Sequence, residues 1–185
     1  MPEQVLTVAN QLTLLRMALV PILVLCILSR EYAWGLVLFA VAAATDLLDG
    51  LIARLGHQRT TLGAMMDPLA DKILMTGSYL ALTWGSGLVV AIPVWVTVII
   101  LSRDILLVLS VTAINLAFGR RGFLPSLLGK MSTAFQVATV GLVLLLNALA
   151  EPLPWLRWVF LATVGLTVAS AVDYLFRGGR GSEPL

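Results

Sequence analysis

Six long apolar segments, separated by short breaks rich in polar residues, glycine or proline, constrain this 185-residue chain more than any other feature of its sequence. Each segment is at least as long as the ~20 residues with which an α-helix crosses the hydrocarbon core of a bilayer. The segments are predicted over residues 5–29, 32–54, 62–85, 88–118, 127–150 and 154–176. The pattern predicts an all-α, polytopic membrane protein with six transmembrane helices, in a single domain over 1–185 with a polar C-terminal tail over 177–185.

The composition agrees with a chain that lies mostly in lipid. Hydrophobic residues make up 59% of the sequence and charged residues 12%, whereas about 25% of a soluble domain is charged. This excludes an ordinary water-soluble globule. The sequence has no charge run or aromatic-basic patch of the kind that binds nucleic acid, so membrane lipids rather than a nucleic acid are the expected surroundings.

The basic residues predict an orientation in the membrane. Most of them fall in the connection between the second and third segments, around the connection between the fourth and fifth, or in the tail, whereas Arg30 and Arg157 fall on the opposite side. The larger group comprises Arg54, Arg59, Arg120, Arg121, Lys130, Arg177 and Arg180. By the positive-inside rule this side faces the cytoplasm together with both termini. The expected location of this multi-pass protein is a bacterial inner or plasma membrane.

Charges inside the apolar segments are the strongest indication of function. Of the 22 charged residues, 12 basic and 10 acidic, 12 fall within the six segments, although an Asp, Lys or Arg at the centre of a transmembrane helix costs roughly 2.5–3.5 kcal/mol. Asp46 and Asp49 are three residues apart near the end of the second segment, and Asp67 and Asp71 are four apart near the start of the third. Each pair lies on one face of its helix. Because a short connection joins the two segments, we expect four carboxylates to converge near the cytoplasmic interface.

Four carboxylates in a poorly solvated place cannot all stay ionised without compensation. Arg54 and Lys72 supply at most two positive charges, so the surplus predicts bound divalent cations. Oxygen ligands suit Mg²⁺ or Mn²⁺, and two such ions would support phosphoryl transfer. The small residues Gly50, Ala53 and Gly63 near the acids would let a ligand approach the backbone, or would merely let the helices pack closely.

The acidic segment resembles the signature of the CDP-alcohol phosphotransferases. That pattern fixes eight positions over residues 46–71, and this chain matches every one of them. The matching residues are Asp46, Asp49, Gly50, Ala53, Arg54, Gly63, Asp67 and Asp71. The segments 10–16 and 129–133 also resemble those that open the first and fifth helices in members of the family.

The resemblance implies a role for each matching residue. Asp46, Asp49, Asp67 and Asp71 would ligate two Mg²⁺ or Mn²⁺ ions, and Asp71 would also serve as the general base. The cytidine diphosphate part of the donor would be bordered by a nucleotide-binding set comprising Asp46, Gly50, Ala53, Arg54 and Gly63. The implied reaction transfers the phosphatidyl group of CDP-diacylglycerol to an acceptor hydroxyl and releases CMP.

Two acceptors are compatible with the branch of the family that this sequence resembles, which makes phosphatidylglycerophosphate and cardiolipin. Glycerol 3-phosphate is a dianion that requires several cations, and the candidates are Arg103, Lys130 and Arg16. Phosphatidylglycerophosphate synthases usually show a second Arg after the Arg-Glu of the fourth helix, whereas Ser102-Arg103-Asp104 is followed by no second Arg. The sequence therefore favours phosphatidylglycerol as acceptor, as in the CMP-forming cardiolipin synthases, with glycerol 3-phosphate as the alternative.

A different class of protein also places acids and basic partners inside the membrane. Ion-coupled transporters do so near the midplane of the bilayer, whereas the four acids here are predicted at one interface. Transport is therefore a distant alternative. The resemblance also implies a homodimer, which nothing in the composition or spacing demonstrates.

Overall fold

The computed structural model describes residues 8–55, 61–118 and 126–179. Over these ranges the chain is helical and contains no strand, which confirms the predicted all-α class. The helices are α1 (Val8–Leu28), α2 (Tyr32–Leu55), α3 (Thr61–Trp84), α4 (Val94–Phe118), α5 (Leu127–Leu149) and α6 (Leu156–Gly179). All six predicted segments therefore form helices.

Two predicted boundaries are wrong by three residues or more: α6 runs to Gly179, three residues into the predicted tail, and the larger error is at the start of α4. The fourth segment was expected to be helical from residue 88, but α4 begins at Val94. Proline lacks an N–H and is often found in the first turn of a helix. Pro93 precedes α4, and its carbonyl accepts hydrogen bonds from the N–H groups of Val96 and Thr97. Apolar residues 88–92 thus form an irregular connection, because apolar character alone does not distinguish a helix from a loop.

The described residues up to Ile92, together with Val140–Pro152, form one compact unit. In this unit α1 packs against both α2 and α3. The core is largely apolar and contains fully or almost fully buried side chains from all four participating helices. They include Leu23, Ile27, Phe39, Tyr79, Leu82 and Leu144.

Asn147 of α5 holds the irregular connection before α4 within this first unit. Its side-chain oxygen accepts the N–H groups of Val89 and Val90 at 2.8 and 3.2 Å. Its Nδ2 donates to the carbonyls of Val90 and Val143, both at 2.8 Å. A single buried amide therefore pairs three backbone groups of Val89 and Val90, which lie outside the helices.

Residues Pro93–Thr139 and the described part of Leu153–Leu185 form a second compact unit. Here α4 packs against α6, and Val96, Ile100 and Phe160 are buried. The second unit differs from the first because many of its buried side chains are polar. They are Thr97, Arg103, Asp104, Ser126, Ser132, Gln136, Thr139, Thr163, Thr167 and Ser170.

Large apolar side chains also cover much of the outside of the described helices. Leu25, Leu106, Leu127 and Trp158 are each more than 60% exposed, and exposed apolar surface on this scale marks contact with another apolar medium or partner. Among the described residues, the stretches Leu127–Leu149 and Leu156–Tyr174 are long and apolar enough to cross a membrane, whereas Thr13–Leu28 and Tyr32–Thr45 are shorter apolar stretches.

Non-glycine residues close the C-terminal ends of two helices in the left-handed conformation. Ala150 has φ 56° and follows α5, where the N–H of Glu151 bonds to the carbonyl of Leu146. Arg30 ends α1 in the same way, with φ 65°. Glycine is the usual residue at such a position because a Cβ makes the conformation unfavourable.

We expect Ala150→Gly to raise the free energy of unfolding by about 1 kcal/mol, because it removes the Cβ from the left-handed position. Denaturant unfolding of the purified protein in mixed micelles would measure this change. Ala148→Gly, inside α5, is the matched control and is expected to lower the free energy of unfolding by about 0.5–1 kcal/mol. Destabilisation by both variants would contradict the expectation.

Candidate active site

The four predicted acids lie on the two helices that the sequence assigned to them. Asp46 and Asp49 are near the C-terminal end of α2, and Asp67 and Asp71 are in the first half of α3. Five residues join Leu55 to Thr61 and span at most about 20 Å, whereas a 24-residue helix is about 36 Å long. The acidic end of α2 and the acidic end of α3 therefore lie at the same end of the first unit.

Most side chains of the predicted donor site lie outside the described part of the structure. This applies to Asp46, Asp49, Gly50, Ala53, Arg54, Gly63 and Asp67, of which the structure gives the helical position alone. Among the described residues, no group of three His, Cys, Asp or Glu side chains could hold a metal ion. The metal-binding and nucleotide-binding roles of these seven residues remain predictions.

Asp71 is the one predicted metal ligand whose side chain the structure describes. Its Oδ1 accepts a hydrogen bond of 2.6 Å from Nη1 of Arg16. The Asp71 side chain is 43% exposed, whereas the Arg16 side chain is 0% exposed. The site therefore combines an accessible carboxylate with a cation that is completely enclosed by protein.

The position of Arg16 follows from the packing of α1. The buried residues Thr13, Arg16, Val20, Leu23 and Ile27 recur every three or four positions and form one stripe along the helix. In the second half of α3, a Cβ added at Gly77 would lie 3.2 Å from Val20, so the two helices approach closely. Arg16 was predicted as a candidate acceptor ligand, and in the structure it contacts Asp71 instead of presenting an exposed guanidinium.

Arg103, the second predicted acceptor ligand, belongs to a buried polar group in the second unit. Its Nη1 donates to Asp104 Oδ1 at 2.8 Å, and its Nη2 donates to Ser170 Oγ at 2.6 Å. The side chains of Arg103 and Asp104 are 8% and 10% exposed. The positive charge of Arg103 on α4 is thus balanced by Asp104, and a hydrogen bond to Ser170 of α6 holds the guanidinium in place.

The segment that contains Lys130, the third candidate, opens α5. Ser126 precedes the helix, and its Oγ accepts the N–H of Gly129 at 3.0 Å, as an N-cap residue does. A Cβ at Gly129 would lie 3.8 Å from Ser170 Oγ and 3.9 Å from Arg103 Nη2. Gly129 therefore brings the start of α5 close to the Arg103 group, while Lys130 itself is exposed.

Further along α5 from Gly129, a series of polar contacts, here called the polar ladder, joins α5 to α6. It consists of Ser132, Gln136, Thr139, Thr163 and Thr167. The hydroxyls of Thr139 and Thr163 lie 2.7 Å apart, and those of Ser132 and Thr167 lie 3.2 Å apart. Nε2 of Gln136 donates to Thr167 Oγ1 at 3.1 Å. Neither the ladder nor the contact of Ser170 was predicted from the sequence, although the spacing of these residues, three or four apart on each helix, was visible there.

We expect Thr167→Val to lower the free energy of unfolding by about 1 kcal/mol, because valine keeps the shape but removes the hydroxyl that Gln136 contacts. Denaturant unfolding in mixed micelles is the measurement. Thr133→Val is the matched control, since the exposed Thr133 hydroxyl donates within its own helix, to the Gly129 carbonyl. Equal effects of the two substitutions would show that the ladder contributes nothing specific.

Comparisons with known proteins agree with the signature. A family model for CDP-alcohol phosphatidyltransferase matches residues 6–170. A probable phosphatidylglycerophosphate synthase from Mycobacterium tuberculosis is 38% identical over 187 residues, covering 96% of this chain and 84% of the relative. A CMP-forming cardiolipin synthase from Homo sapiens is 34% identical over 194 residues, covering 93% of this chain and 62% of the relative.

A third relative acts on glycerol 3-phosphate according to its name. The CDP-diacylglycerol–glycerol-3-phosphate 3-phosphatidyltransferase of Bacillus subtilis is 30% identical over 185 residues, covering 89% of this chain and 91% of the relative. The chain belongs to the CDP-alcohol phosphatidyltransferase family. It is an enzyme that transfers phosphatidyl groups, in a membrane-associated family that uses CDP-alcohol donors with lipid or glycerol phosphate acceptors.

Proposed function

We propose that this enzyme is a CMP-forming cardiolipin synthase, which transfers the phosphatidyl group of CDP-diacylglycerol to a glycerol hydroxyl of phosphatidylglycerol. The observation that carries this choice of acceptor is the pairing of two candidate cations with carboxylates. Arg16 contacts Asp71, and Arg103 contacts Asp104. Both positive charges are thereby balanced within the protein.

The charge of the acceptor connects this pairing to specificity. Glycerol 3-phosphate carries a dianionic phosphate, which requires several cations that are not already compensated. Phosphatidylglycerol carries a single phosphodiester charge. Exposed Lys130 suits one negative charge better than two, and it stays our candidate ligand for the acceptor phosphodiester.

The alternative is a phosphatidylglycerophosphate synthase that uses glycerol 3-phosphate. It is supported by the 38% identity to the Mycobacterium tuberculosis relative, whose name gives that activity. The relatives include both kinds of synthase, so their names alone favour neither acceptor.

We also propose that Asp46, Asp49, Asp67 and Asp71 hold two Mg²⁺ or Mn²⁺ ions. Carboxylate oxygens are the ligands that these hard cations prefer, and the half-exposed carboxylate of Asp71 is accessible to such an ion. Ions bound there would neutralise negative charge on the pyrophosphate of the donor. The nucleotide itself would lie against Gly50, Ala53, Arg54 and Gly63.

The transfer requires one proton acceptor and one leaving group. In the proposed reaction Asp71 takes the proton of the acceptor hydroxyl while the oxygen of that hydroxyl attacks the phosphorus that carries diacylglycerol. A new phosphorus–oxygen bond forms, and the bond from that phosphorus to the CMP oxygen breaks with its electron pair leaving on CMP. The proton then passes from Asp71 to solvent.

The outward-facing apolar side chains support a multi-pass arrangement in which all six helices cross the membrane. The distribution of basic residues supports an active site on the cytoplasmic side. There the nucleotide would enter from water while the acyl chains of donor and acceptor stay in hydrocarbon. The homodimer remains a prediction from the family resemblance.

The test supplies purified protein with CDP-diacylglycerol and Mg²⁺, and with phosphatidylglycerol or glycerol 3-phosphate in separate reactions. We expect CMP release and a product with the mass of cardiolipin in the first reaction, and little product in the second. Phosphatidylglycerophosphate as the only product would establish the alternative acceptor. Failure of both reactions would contradict both acceptors.

A further inference from the structure

The buried cation Arg16 has a position that ligand binding does not explain. Its side chain is 0% exposed, whereas its partner Asp71 is 43% exposed. A substrate can therefore reach the carboxylate but not the guanidinium. Any effect of Arg16 on a substrate must pass through a side chain that Arg16 contacts.

Stability does not explain an arginine at this position either. Removing a guanidinium from water costs several kcal/mol, and replacing a buried ion pair by apolar residues is often neutral or stabilising. The other members of the buried stripe on α1 are uncharged: Thr13, Val20, Leu23 and Ile27. An apolar side chain at position 16 would continue this stripe without the desolvation cost.

The contact between Arg16 and Asp71 is well suited to fixing the direction of a carboxylate. Nη1 of Arg16 donates to Oδ1 of Asp71 at 2.6 Å across 55 residues of sequence. The close approach of α1 to α3 at Val20 and Gly77 fixes the backbone from which Arg16 extends. Because the guanidinium is enclosed, the donor stays in place when the exposed side of Asp71 meets a substrate.

We propose that Arg16 is a positioning residue for Asp71: it orients the carboxylate that accepts the proton of the attacking hydroxyl, and it does not bind the acceptor. This inference rests on the proposed function, in which Asp71 is the general base. A general base must lie within hydrogen-bond reach of the proton that it removes. A displacement of about 1 Å at such a site can reduce the rate about 100-fold.

A double-mutant cycle with Arg16→Met and Asp71→Asn tests the proposal. Methionine replaces the guanidinium side chain by an apolar one of similar length. Asparagine keeps an oxygen that can accept the hydrogen bond from Arg16 but cannot take the proton of the acceptor hydroxyl. We expect Arg16→Met to lower kcat for CMP release about 10- to 100-fold, with KM for donor and acceptor changed by less than about twofold. In the Asp71→Asn background, Arg16→Met should change kcat by less than about twofold, because the group that it positions no longer acts as a base.

Arg16→Lys adds a conservative comparison, since it keeps the charge but loses the planar fork of donors. We expect its kcat to lie between those of the wild type and Arg16→Met. Thermal unfolding without substrate provides a readout independent of activity. Arg16→Met combined with Asp71→Leu replaces the whole pair by apolar side chains and should leave the unfolding midpoint unchanged or raise it, as expected if the arginine is not kept for stability.

The outcomes distinguish the inference from the proposed function. A raised KM for the acceptor with unchanged kcat would show that Arg16 binds the acceptor, and an equal loss of kcat in both backgrounds would show that it acts elsewhere; either result overturns the inference alone. Unchanged kinetics in Arg16→Met would leave only a structural role and would also overturn it. Full activity of Asp71→Asn would overturn the proposed base, and the inference with it.

Discussion

Removing divalent cations from the purified enzyme is expected to reduce CMP release from CDP-diacylglycerol by roughly a thousandfold or more. The reason is electrostatic. A metal ion contributes several kcal/mol of charge stabilisation to such a transfer, and each 1.36 kcal/mol corresponds to a tenfold change in rate. The measurement is the initial rate of CMP release after chelation, followed by titration with Mg²⁺ or Mn²⁺, either of which should restore the activity.

The control for the chelation experiment is addition of K⁺ at matched ionic strength, which should restore nothing. Direct Mn²⁺ binding in the absence of substrate gives an independent readout, with two ions per chain expected. Asp67→Asn should lower that number or weaken the binding, because it removes a charged oxygen ligand from the proposed set. CMP release that survives complete chelation would contradict the proposed metal site.

The second large effect is expected from Asp71→Asn, which should lower kcat about 10²- to 10⁴-fold, the usual contribution of a general base. The amide oxygen of asparagine can still accept the hydrogen bond from Arg16, so we expect the local structure to persist while proton acceptance is lost. The initial rate of CMP release at saturating donor and acceptor measures the effect. A normal thermal unfolding midpoint would separate it from misfolding.

Glu151→Gln is the matched control for this substitution. It makes the same change from carboxylate to amide in an exposed residue of the connection after α5, outside the proposed site. We expect its kcat to equal that of the wild type. If Asp71→Asn were as active as Glu151→Gln, the base would have to be a different group.

Much of the fold could be predicted because helix length and apolarity are local properties. The ends of α2, α3 and α5 agree with the predicted segments within one residue. The predicted start of α4 was wrong because residues 88–92 are apolar without being helical. Asn147, which pairs the backbone of Val89 and Val90, is distant from them in sequence. Crossing of the membrane by all six helices remains a proposal.

The helical positions of the candidate site residues could be predicted because they depend on spacing along one helix. The helical positions of Asp46, Asp49, Asp67 and Asp71 agree with the prediction, because i, i+3 and i, i+4 spacing requires only that the helix forms. The contact between Arg16 and Asp71 depends on how α1 packs against α3, and periodicity does not determine that arrangement. A useful signal was nevertheless present, since Arg16 lies in the same three-four repeat as Val20, Leu23 and Ile27.

The buried polar side chains of the second unit illustrate the same limit. Ser170 is an unremarkable small residue in sequence, and only the packing of α4 against α6 makes it a partner of Arg103. The sequence predicts Arg103 as a ligand for the acceptor, whereas in the structure Asp104 balances its charge and Ser170 accepts a second hydrogen bond from it.

The most direct test of the central claim is a reaction in which donor and acceptor carry distinguishable acyl chains. The enzyme is supplied with CDP-diacylglycerol bearing one pair of chains and phosphatidylglycerol bearing another, with an equal amount of glycerol 3-phosphate present. We predict a cardiolipin with two chains from each lipid, and one molecule of CMP released for each cardiolipin formed. A product that carries only the donor chains and the mass of phosphatidylglycerophosphate would contradict it.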